Sequence, residues 1–189
     1  MDEDEAIAQL KAGNIEGLKA LVDLYQVQAV QAATLIIQDR AAAEDIVQTI
    51  FLRSFERIKQ FDSTRPFKPW FLRMVINEAI KEANRQKHNL SLDGAEQEAY
   101  RQLIACLDAS NEAPEDIVQR NELRQEIRKA LKGLSPQQRA SIVLRYYLGY
   151  NEQELSAWLN CAPGTVRWHL SMARQRLRTM LAPLLAEDK

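Results

Sequence analysis

The chain has 189 residues, of which 46% are hydrophobic and 27% are charged, a balance that predicts a globular protein of one large or two small domains. Two cysteines and two histidines without ligand spacing argue against a disulfide framework and a zinc site, so neither a metal nor a cofactor is expected. The acidic start MDEDEAIAQL excludes a signal peptide, and no run approaches the ~18 apolar residues of a membrane span, so we expect a cytoplasmic protein without direct membrane insertion.

The charges divide the chain unevenly. Residues 88–121 hold two Lys or Arg against seven Asp or Glu, whereas residues 122–189 hold eleven against six. We therefore expect a first domain over 1–87, an acidic linker over 88–113 and a basic domain over 114–189. Since the sequence contains no sustained alternation and no Asn-Gly or Asp-Gly pair between two alternating runs, we expect an all-α protein of two helical domains.

Three long helices are predicted in the first domain. The first has an apolar face at helical spacing, formed by Leu18, Leu21, Val22, Tyr25 and Ile36. The second should begin at about Ala42, and the third between Phe67 and Trp70. The stretch FDSTRP separates the last two helices because Pro66 disfavours helical backbone at Arg65. The third helix should end near NRQKH, and we interpret Trp70 as a core residue rather than a stacking surface.

The linker is weakly periodic, and we expect at most a loose helix over 96–107. A helical stripe then opens the second domain, with Leu123, Ile127, Ala130, Leu131 and Leu134. Two capping boxes predict the next helix starts: Ser135 with Pro136 and Gln138, and Asn151 with Glu154.

The stretch from Asn151 to Leu181 predicts a short helix, a turn at Asn160 and a long basic helix. Leu155, Trp158 and Leu159 should pack against a core face of Val166, Leu170, Ala173 and Leu177, with Cys161 buried between the helices. Opposite that core face lie Trp168, Ser171, Met172 and Gln175. The flanks carry Arg167, Arg174 and Arg178 on one side and His169 and Arg176 on the other. Cations beside an uncharged face suit phosphate and groove contacts with DNA. An ordinary amphipathic helix with a solvated basic face is the alternative.

Two stretches resemble a known family. LSPQQRASIVLRYYLGYNEQELSAWLNCAPGTVRWHLSMARQRLRTML is similar to region four of bacterial sigma factors, and RAAAEDIVQTIFLRSFERIKQFDSTRPFKPWFLRMVINEAIKEANRQ is similar to region two. With only these two regions and a short linker, the chain resembles the extracytoplasmic-function group. The resemblance implies a specificity subunit that binds core RNA polymerase through its beta and beta-prime subunits, recognises promoter DNA and promotes its opening. An anti-sigma factor is the implied regulator.

The resemblance also implies site residues. Core polymerase would be bound by Asp45, Gln48, Thr49 and Leu52, where an acidic residue is usual at the position of Thr49. The third helix and the loop before it would hold the melted minus-ten strand, with Arg73, Asn77, Lys81 and Arg85; Lys81 replaces a commoner Asp. The minus-thirty-five element would meet Thr165, Arg167, Trp168, Ser171, Met172, Arg174, Gln175 and Arg178, with Met172 in place of a frequent basic residue.

Two other classes of protein fit parts of this pattern. A stand-alone helix-turn-helix regulator would bind duplex DNA without polymerase, and a helical interaction module would bind an acidic partner through its basic helix. An enzyme is not expected, because the sequence carries no catalytic triad, Gly-rich phosphate loop or metal cluster.

Overall fold

A computed structural model describes residues 1–90 and 125–187, with side chains described over 1–87 and 125–182. The chain divides into two compact units, Met1–Glu82 and Ala83–Lys189. Over the described ranges the regular structure is helical and contains no strand, which confirms the expected all-α class. The predicted helix over 96–107 and the position of Leu123 lie outside the described residues.

Three helices lie within the first unit, α1 (Glu3–Lys11), α2 (Glu16–Ile37) and α3 (Arg40–Arg57), and a fourth, α4 (Phe67–Leu90), begins in it and continues past Glu82. A single 3-10 turn, Ile58–Gln60, continues α3. The sequence analysis did not predict α1. Its signal was present, because Asp2 and Glu5 form a reciprocal capping box at its start and Ala6, Ile7 and Leu10 are buried.

The turn between α2 and α3 is two residues long, which makes the two helices an antiparallel pair. Gln38 ends α2 in the left-handed conformation, with φ 67° and ψ 23°. Asp39 then caps α3, because its side chain accepts a hydrogen bond from the Ala42 backbone N–H at 3.1 Å. The helix consequently starts at Arg40, slightly earlier than the apolar pattern had suggested.

Aromatic rings fill the centre of the first unit. Phe51 stacks on Phe71 with ring centroids 4.4 Å apart, and Phe67 stacks on Phe71 at 5.8 Å. Phe61 meets Phe67 edge to face at 5.5 Å. Trp70 is half-buried, 5.1 Å from Phe61, in agreement with its interpretation as a packing residue.

Helix α2 is more apolar over its length than the sequence analysis noted. Its 22 residues include an 18-residue window of mean hydropathy 1.3, so by length and composition it could cross a membrane. Such a helix is weak evidence, since the core helix of a soluble protein passes the same test. One face of α2 indeed packs into the unit, with Leu18, Leu21, Ala29, Ala32, Ala33 and Ile36 buried.

The second unit contains a helix over residues 125–132 (α5), α6 (Pro136–Ile142), α7 (Glu152–Leu159) and α8 (Pro163–Glu187). A π-helical turn, Val143–Tyr147, extends α6 and was not predicted. Both predicted capping boxes are present, at Ser135 with Gln138 and at Asn151 with Glu154.

The predicted core of this unit is largely confirmed. Buried side chains include Ala130, Leu131, Leu134, Leu155, Trp158, Val166, Leu170 and Ala173. Three predicted core positions, Leu159, Cys161 and Leu177, are only half-buried, and Ile127 is exposed. Cys161 is therefore not the buried plug that the sequence suggested. It lies in the turn, where its carbonyl accepts a hydrogen bond from the Ser156 hydroxyl at 2.6 Å.

Candidate nucleic-acid interface

Helices α7 and α8 form a helix-turn-helix whose turn is set by local backbone chemistry. Asn151 caps α7 by accepting hydrogen bonds from the backbone N–H groups of Gln153 and Glu154, both at 3.0 Å. Asn160 ends α7 in the left-handed conformation, with φ 48° and ψ 49°, as predicted. Pro163 then opens α8 at the first helical position, where its missing N–H costs nothing.

The face of α8 opposite its core is open to solvent. We call it the α8 face and define it as Thr165, Trp168, Ser171, Met172 and Gln175. Trp168 is 56% exposed, which is unusual for so large an apolar side chain. Met172 alone of the five is half-buried. The structure therefore brings all five together, with Met172 partly withdrawn from the surface.

The arginines of α8 divide into two groups. Arg167 and Arg178 are exposed and make no hydrogen bond or ion pair with a described residue. Arg174, on the same flank, donates from Nε to the Leu170 carbonyl of its own helix at 3.2 Å. Arg176 points elsewhere and has a structural contact, because its Nη1 donates to the Gly133 carbonyl and to Gln138 Oε1, both at 3.3 Å.

The Arg176 flank of α8 packs on the turn between α5 and α6. Gln138 is buried, and its Oε1 also accepts from the Ser135 backbone N–H at 3.0 Å. A side chain at Gly133 would meet the sulfur of Met180 at 2.9 Å, so glycine permits this close approach. These contacts fix the rotation of α8 and thereby keep the α8 face turned outward.

His169 lies on the same flank as Arg176 and is half-buried. Its Nδ1 is buried and has no hydrogen-bond partner among the described residues. Burial lowers the pKa of His169, because a second ring proton would be desolvated. His169 therefore adds no positive charge to α8 at neutral pH, and its ring meets Trp168 edge to face at 5.1 Å.

One arginine of this unit is buried. Arg139, on α6, is 8% exposed, and its Nε has no hydrogen-bond partner in the described part of the chain. Burial lowers its pKa below the ordinary arginine value, although an arginine stays protonated at physiological pH. The sequence analysis did not single out Arg139, since nothing in the periodicity distinguishes a buried arginine from an exposed one.

Four predicted residues share one exposed face of α3. We call this face the α3 patch: Asp45, Gln48, Thr49 and Leu52. Their spacing places them on one side of the helix, and all four are exposed. Leu52 is 57% exposed, while Val47, Ile50 and Phe51 on the opposite side are buried. The polar face with one apolar member that the sequence suggested is therefore present.

Sequence reasoning missed a second exposed apolar surface nearby in the chain. Leu24 and Val27 of α2 are 53% and 69% exposed, and Gln31, one turn further along, is exposed as well. The signal was available, since Leu24 and Val27 lie outside the helical stripe of Leu18, Leu21 and Ile36, and only one side of a helix can face its own core.

On α4, predicted residues recur at every fourth position. We call them the α4 strip: Arg73, Asn77, Lys81 and Arg85. All four are exposed, whereas Phe71, Val75, Ile76 and Ala79 are buried on the other side. The structure thus brings the four onto one continuous surface of α4.

Lys81 is not an isolated cation within this strip. Its Nζ lies 3.3 Å from Oε1 of Glu78. The other carboxylate oxygen of Glu78, Oε2, lies 3.5 Å from Nη1 of Arg53 on α3. Exposed pairs of this kind contribute only about 0–1 kcal/mol, so they are easily exchanged for contacts with another molecule.

Comparison with known proteins identifies the class. The family Sigma-70 region 2 matches residues 21–89, and the family Sigma-70 region 4 matches residues 124–177. Regions two and four in this order define a bacterial sigma factor. Sigma factors are transcription initiation factors and not enzymes.

Relatives along the whole chain narrow the class. The chain is 31% identical over 183 residues to the ECF RNA polymerase sigma factor SigW of Bacillus subtilis, covering 94% of this chain and 96% of the relative. It is 25% identical over 182 residues to the ECF RNA polymerase sigma-E factor of Escherichia coli, covering 95% and 94%. The protein belongs to the ECF sigma factors.

Two solved structures share the fold. One is the sigma factor RpoE of Bartonella quintana in complex with the anti-sigma factor NepR, with a TM-score of 0.63 and 23% identity over 87% of this chain and 96% of that one. The other is CnrH in complex with the cytosolic domain of CnrY, with a TM-score of 0.63 and 23% identity over the full length of both chains.

Proposed function

We propose that this sigma factor binds core RNA polymerase through the α3 patch, in contact with the beta and beta-prime subunits. The exposure of Leu52 supports the proposal, because an exposed leucine flanked by Asp45 and Gln48 offers apolar area and polar partners together. Covering Leu52 removes apolar surface from water, while the polar neighbours fix the orientation of the partner. The domain that carries this surface corresponds to residues 1–87.

The minus-ten element is held, in our proposal, by the α4 strip and the loop before it. A melted strand exposes phosphates and base edges, so it needs cations together with hydrogen-bond donors and acceptors. The strip offers both, since Asn77 lies between Arg73 and Lys81 on one exposed face. The side-chain amide of Asn77 is exposed and makes no hydrogen bond with a described residue, so it is available to a flipped base.

The minus-thirty-five element is read by α8, in the domain that corresponds to residues 114–189. The α8 face meets the groove, and Arg167, Arg174 and Arg178 supply mainly phosphate and base-edge contacts along one flank. Trp168 cannot form the bidentate hydrogen bonds that arginine makes to guanine. Its exposed ring suits apolar contact with a thymine methyl or a single hydrogen bond from its indole N–H.

Promoter DNA and core polymerase are thus the proposed binding partners, and the proposed cellular location is the cytoplasm. An anti-sigma factor is the proposed regulator. The complex of the Bartonella sigma factor with NepR supports this proposal by likeness of fold alone. The acidic linker over 88–113 joins the two promoter-binding domains.

The observation that carries the proposal is that α3, α4 and α8 each turn the predicted residues outward. Run-off transcription with purified core polymerase and a library of promoters tests it. We expect initiation at a subset of promoters only when the chain is added. Tight duplex binding without any polymerase-dependent initiation would instead identify a stand-alone helix-turn-helix regulator. Inactivity in both assays would favour a helical interaction module.

A further inference from the structure

The loop over residues 61–66, which leads into α4, has a fixed internal structure. Asp62 Oδ1 accepts hydrogen bonds from the Thr64 backbone N–H at 3.0 Å and from the Thr64 hydroxyl at 2.7 Å. Arg65 Nε lies 3.4 Å from the other carboxylate oxygen of Asp62. The Thr64 hydroxyl, followed by the Thr64 backbone N–H, lowers the pKa of Asp62, so the carboxylate that organises the turn stays charged.

Helix α1 reaches this loop from its last turn. Lys11 Nζ donates a hydrogen bond to the Ser63 hydroxyl at 2.6 Å. The same ammonium group lies 5.7 Å from the centroid of the Phe61 ring, within range of a cation–π interaction. Phe61 is buried against Phe67, so Lys11 joins the exposed tip of the loop to its buried base.

The first turn of α1 reaches the other end of the loop. Glu3 Oε1 accepts a hydrogen bond from the Phe67 backbone N–H, the first of α4, at 3.4 Å. Its other carboxylate oxygen accepts a hydrogen bond from the Tyr25 hydroxyl of α2. A carboxylate at a helix N-terminus is stabilising, because the first backbone N–H groups have no partner within the helix.

The middle of α1 packs closely against the rest of the first unit. Ala6, Ile7 and Leu10 are buried. Gly17 leaves no room for a side chain, because the backbone of α2 approaches the Ala6 carbonyl closely there. Both ends of α1 are therefore held at fixed positions relative to the loop.

We propose that α1 positions the loop 61–66 for the melted minus-ten strand, with Lys11 and Glu3 as positioning residues. The inference rests on the proposed function of α4 and this loop. Lys11 and Glu3 do not touch DNA in this proposal; they act through Ser63 and Phe67. Holding the loop in one conformation before the strand arrives removes the conformational entropy that binding would otherwise cost.

The test compares Lys11→Met with Lys19→Met in the full chain assembled with core polymerase. Lys19 is an exposed lysine of α2 that makes no hydrogen bond or ion pair with a residue that the structure describes, so its loss is a matched control. On a promoter that the wild type opens, Lys11→Met should slow opening by roughly three- to tenfold, the range expected for one lost hydrogen bond. Affinity for core polymerase should be unchanged. Lys11→Arg should restore most of the rate, since arginine also donates to a hydroxyl.

Two further measurements separate positioning from general stability. Holoenzyme carrying Lys11→Met should bind a single-stranded minus-ten oligonucleotide more weakly while keeping its affinity for minus-thirty-five duplex. Ser63→Ala should slow promoter opening to a similar extent. The double variant Lys11→Met with Ser63→Ala should open the promoter no more slowly than the slower single variant, because both substitutions remove the same Lys11–Ser63 hydrogen bond.

The outcomes keep this proposal distinct from the function on which it rests. Equal opening rates for Lys11→Met and Lys19→Met would overturn the role of α1 while leaving the sigma activity intact. Slow opening accompanied by an equal loss of core affinity would also overturn it, since α1 would then support the fold alone. If the wild-type chain opens no promoter with core polymerase, the proposed function itself fails.

Discussion

Removal of the apolar and amide groups of the α3 patch is the sharpest test of polymerase binding. Full burial of a leucine side chain is worth about 1.5–3 kcal/mol, of which the buried part is already realised within the folded domain. Leu52 is 57% exposed, so a partner that covers it buries the remaining part of the side chain. Truncation of Leu52 to alanine should therefore weaken binding by about 1 kcal/mol. Gln48→Ala removes one hydrogen bond, about another 1 kcal/mol. Together they should raise the dissociation constant for core polymerase roughly thirtyfold.

The assay is equilibrium binding of labelled full chain to purified core polymerase. Helical content should be unchanged, because Gln48 and Leu52 point away from the core. Leu52→Met, which keeps the apolar area, should bind nearly as the wild type does. Ile15→Ala removes an aliphatic side chain of similar exposure, 54%, outside the patch and should have little effect. If the double variant binds as tightly as Ile15→Ala, the α3 patch is not the polymerase contact.

Three further predictions follow from the other surfaces. Asn77→Ala should slow promoter opening by about tenfold without weakening initial recruitment, which permanganate footprinting against a recruitment assay would detect; equal opening would make Asn77 structural. If Arg167 contacts a base, Arg167→Ala should weaken DNA binding by about 1–3 kcal/mol and relax the sequence preference at one base pair. If Arg167 contacts phosphate, the variant should bind all sequences more weakly by the same factor, and the slope of affinity against salt concentration should fall by about one. Titration of the full chain on promoter duplexes at two salt concentrations separates these results. Unchanged binding by both Arg167→Ala and Trp168→Ala would show that α8 does not enter the DNA groove. Because burial lowers the pKa of His169, its contribution to stability is present above the ordinary value of 6.5 and is lost as pH falls below it. The thermal midpoint of the wild type should therefore fall more than that of His169→Gln between pH 7.5 and pH 5.5, and parallel curves would refute the assignment.

Much of the fold was predictable because the signals that define it are local. Apolar spacing identifies α2, α3, α4 and α8, since a helix repeats every 3.6 residues whatever surrounds it. The capping boxes at Ser135 and Asn151 and the left-handed Asn160 are confirmed, because each depends on residues at most three positions apart. Helix α1 carried the same kind of signal at Asp2 and Glu5, but its apolar pattern spans only a few residues, so it escaped notice.

The exposed faces of the candidate sites follow from the same periodicity. The sequence alone places Asp45, Gln48, Thr49 and Leu52 on one side of a helix and Arg73, Asn77, Lys81 and Arg85 on one side of another. Their exposure in the structure agrees with that placement. Their contacts with polymerase and DNA stay predictions.

Tertiary structure alone decided which charged and polar side chains have partners within the protein. Arg176 and Arg178 look alike in the sequence, yet Arg176 bonds to Gly133 and Gln138, which lie about forty positions away. The partial burial of Met172 and Cys161 likewise departs from the helical pattern, which placed Met172 on the open face and Cys161 in the core. The contact of Lys11 with Ser63 joins residues 52 positions apart. Periodicity and capping describe a helix by itself, whereas these contacts exist only once separate helices have packed together, because the chain then brings distant donors and acceptors within about 3 Å.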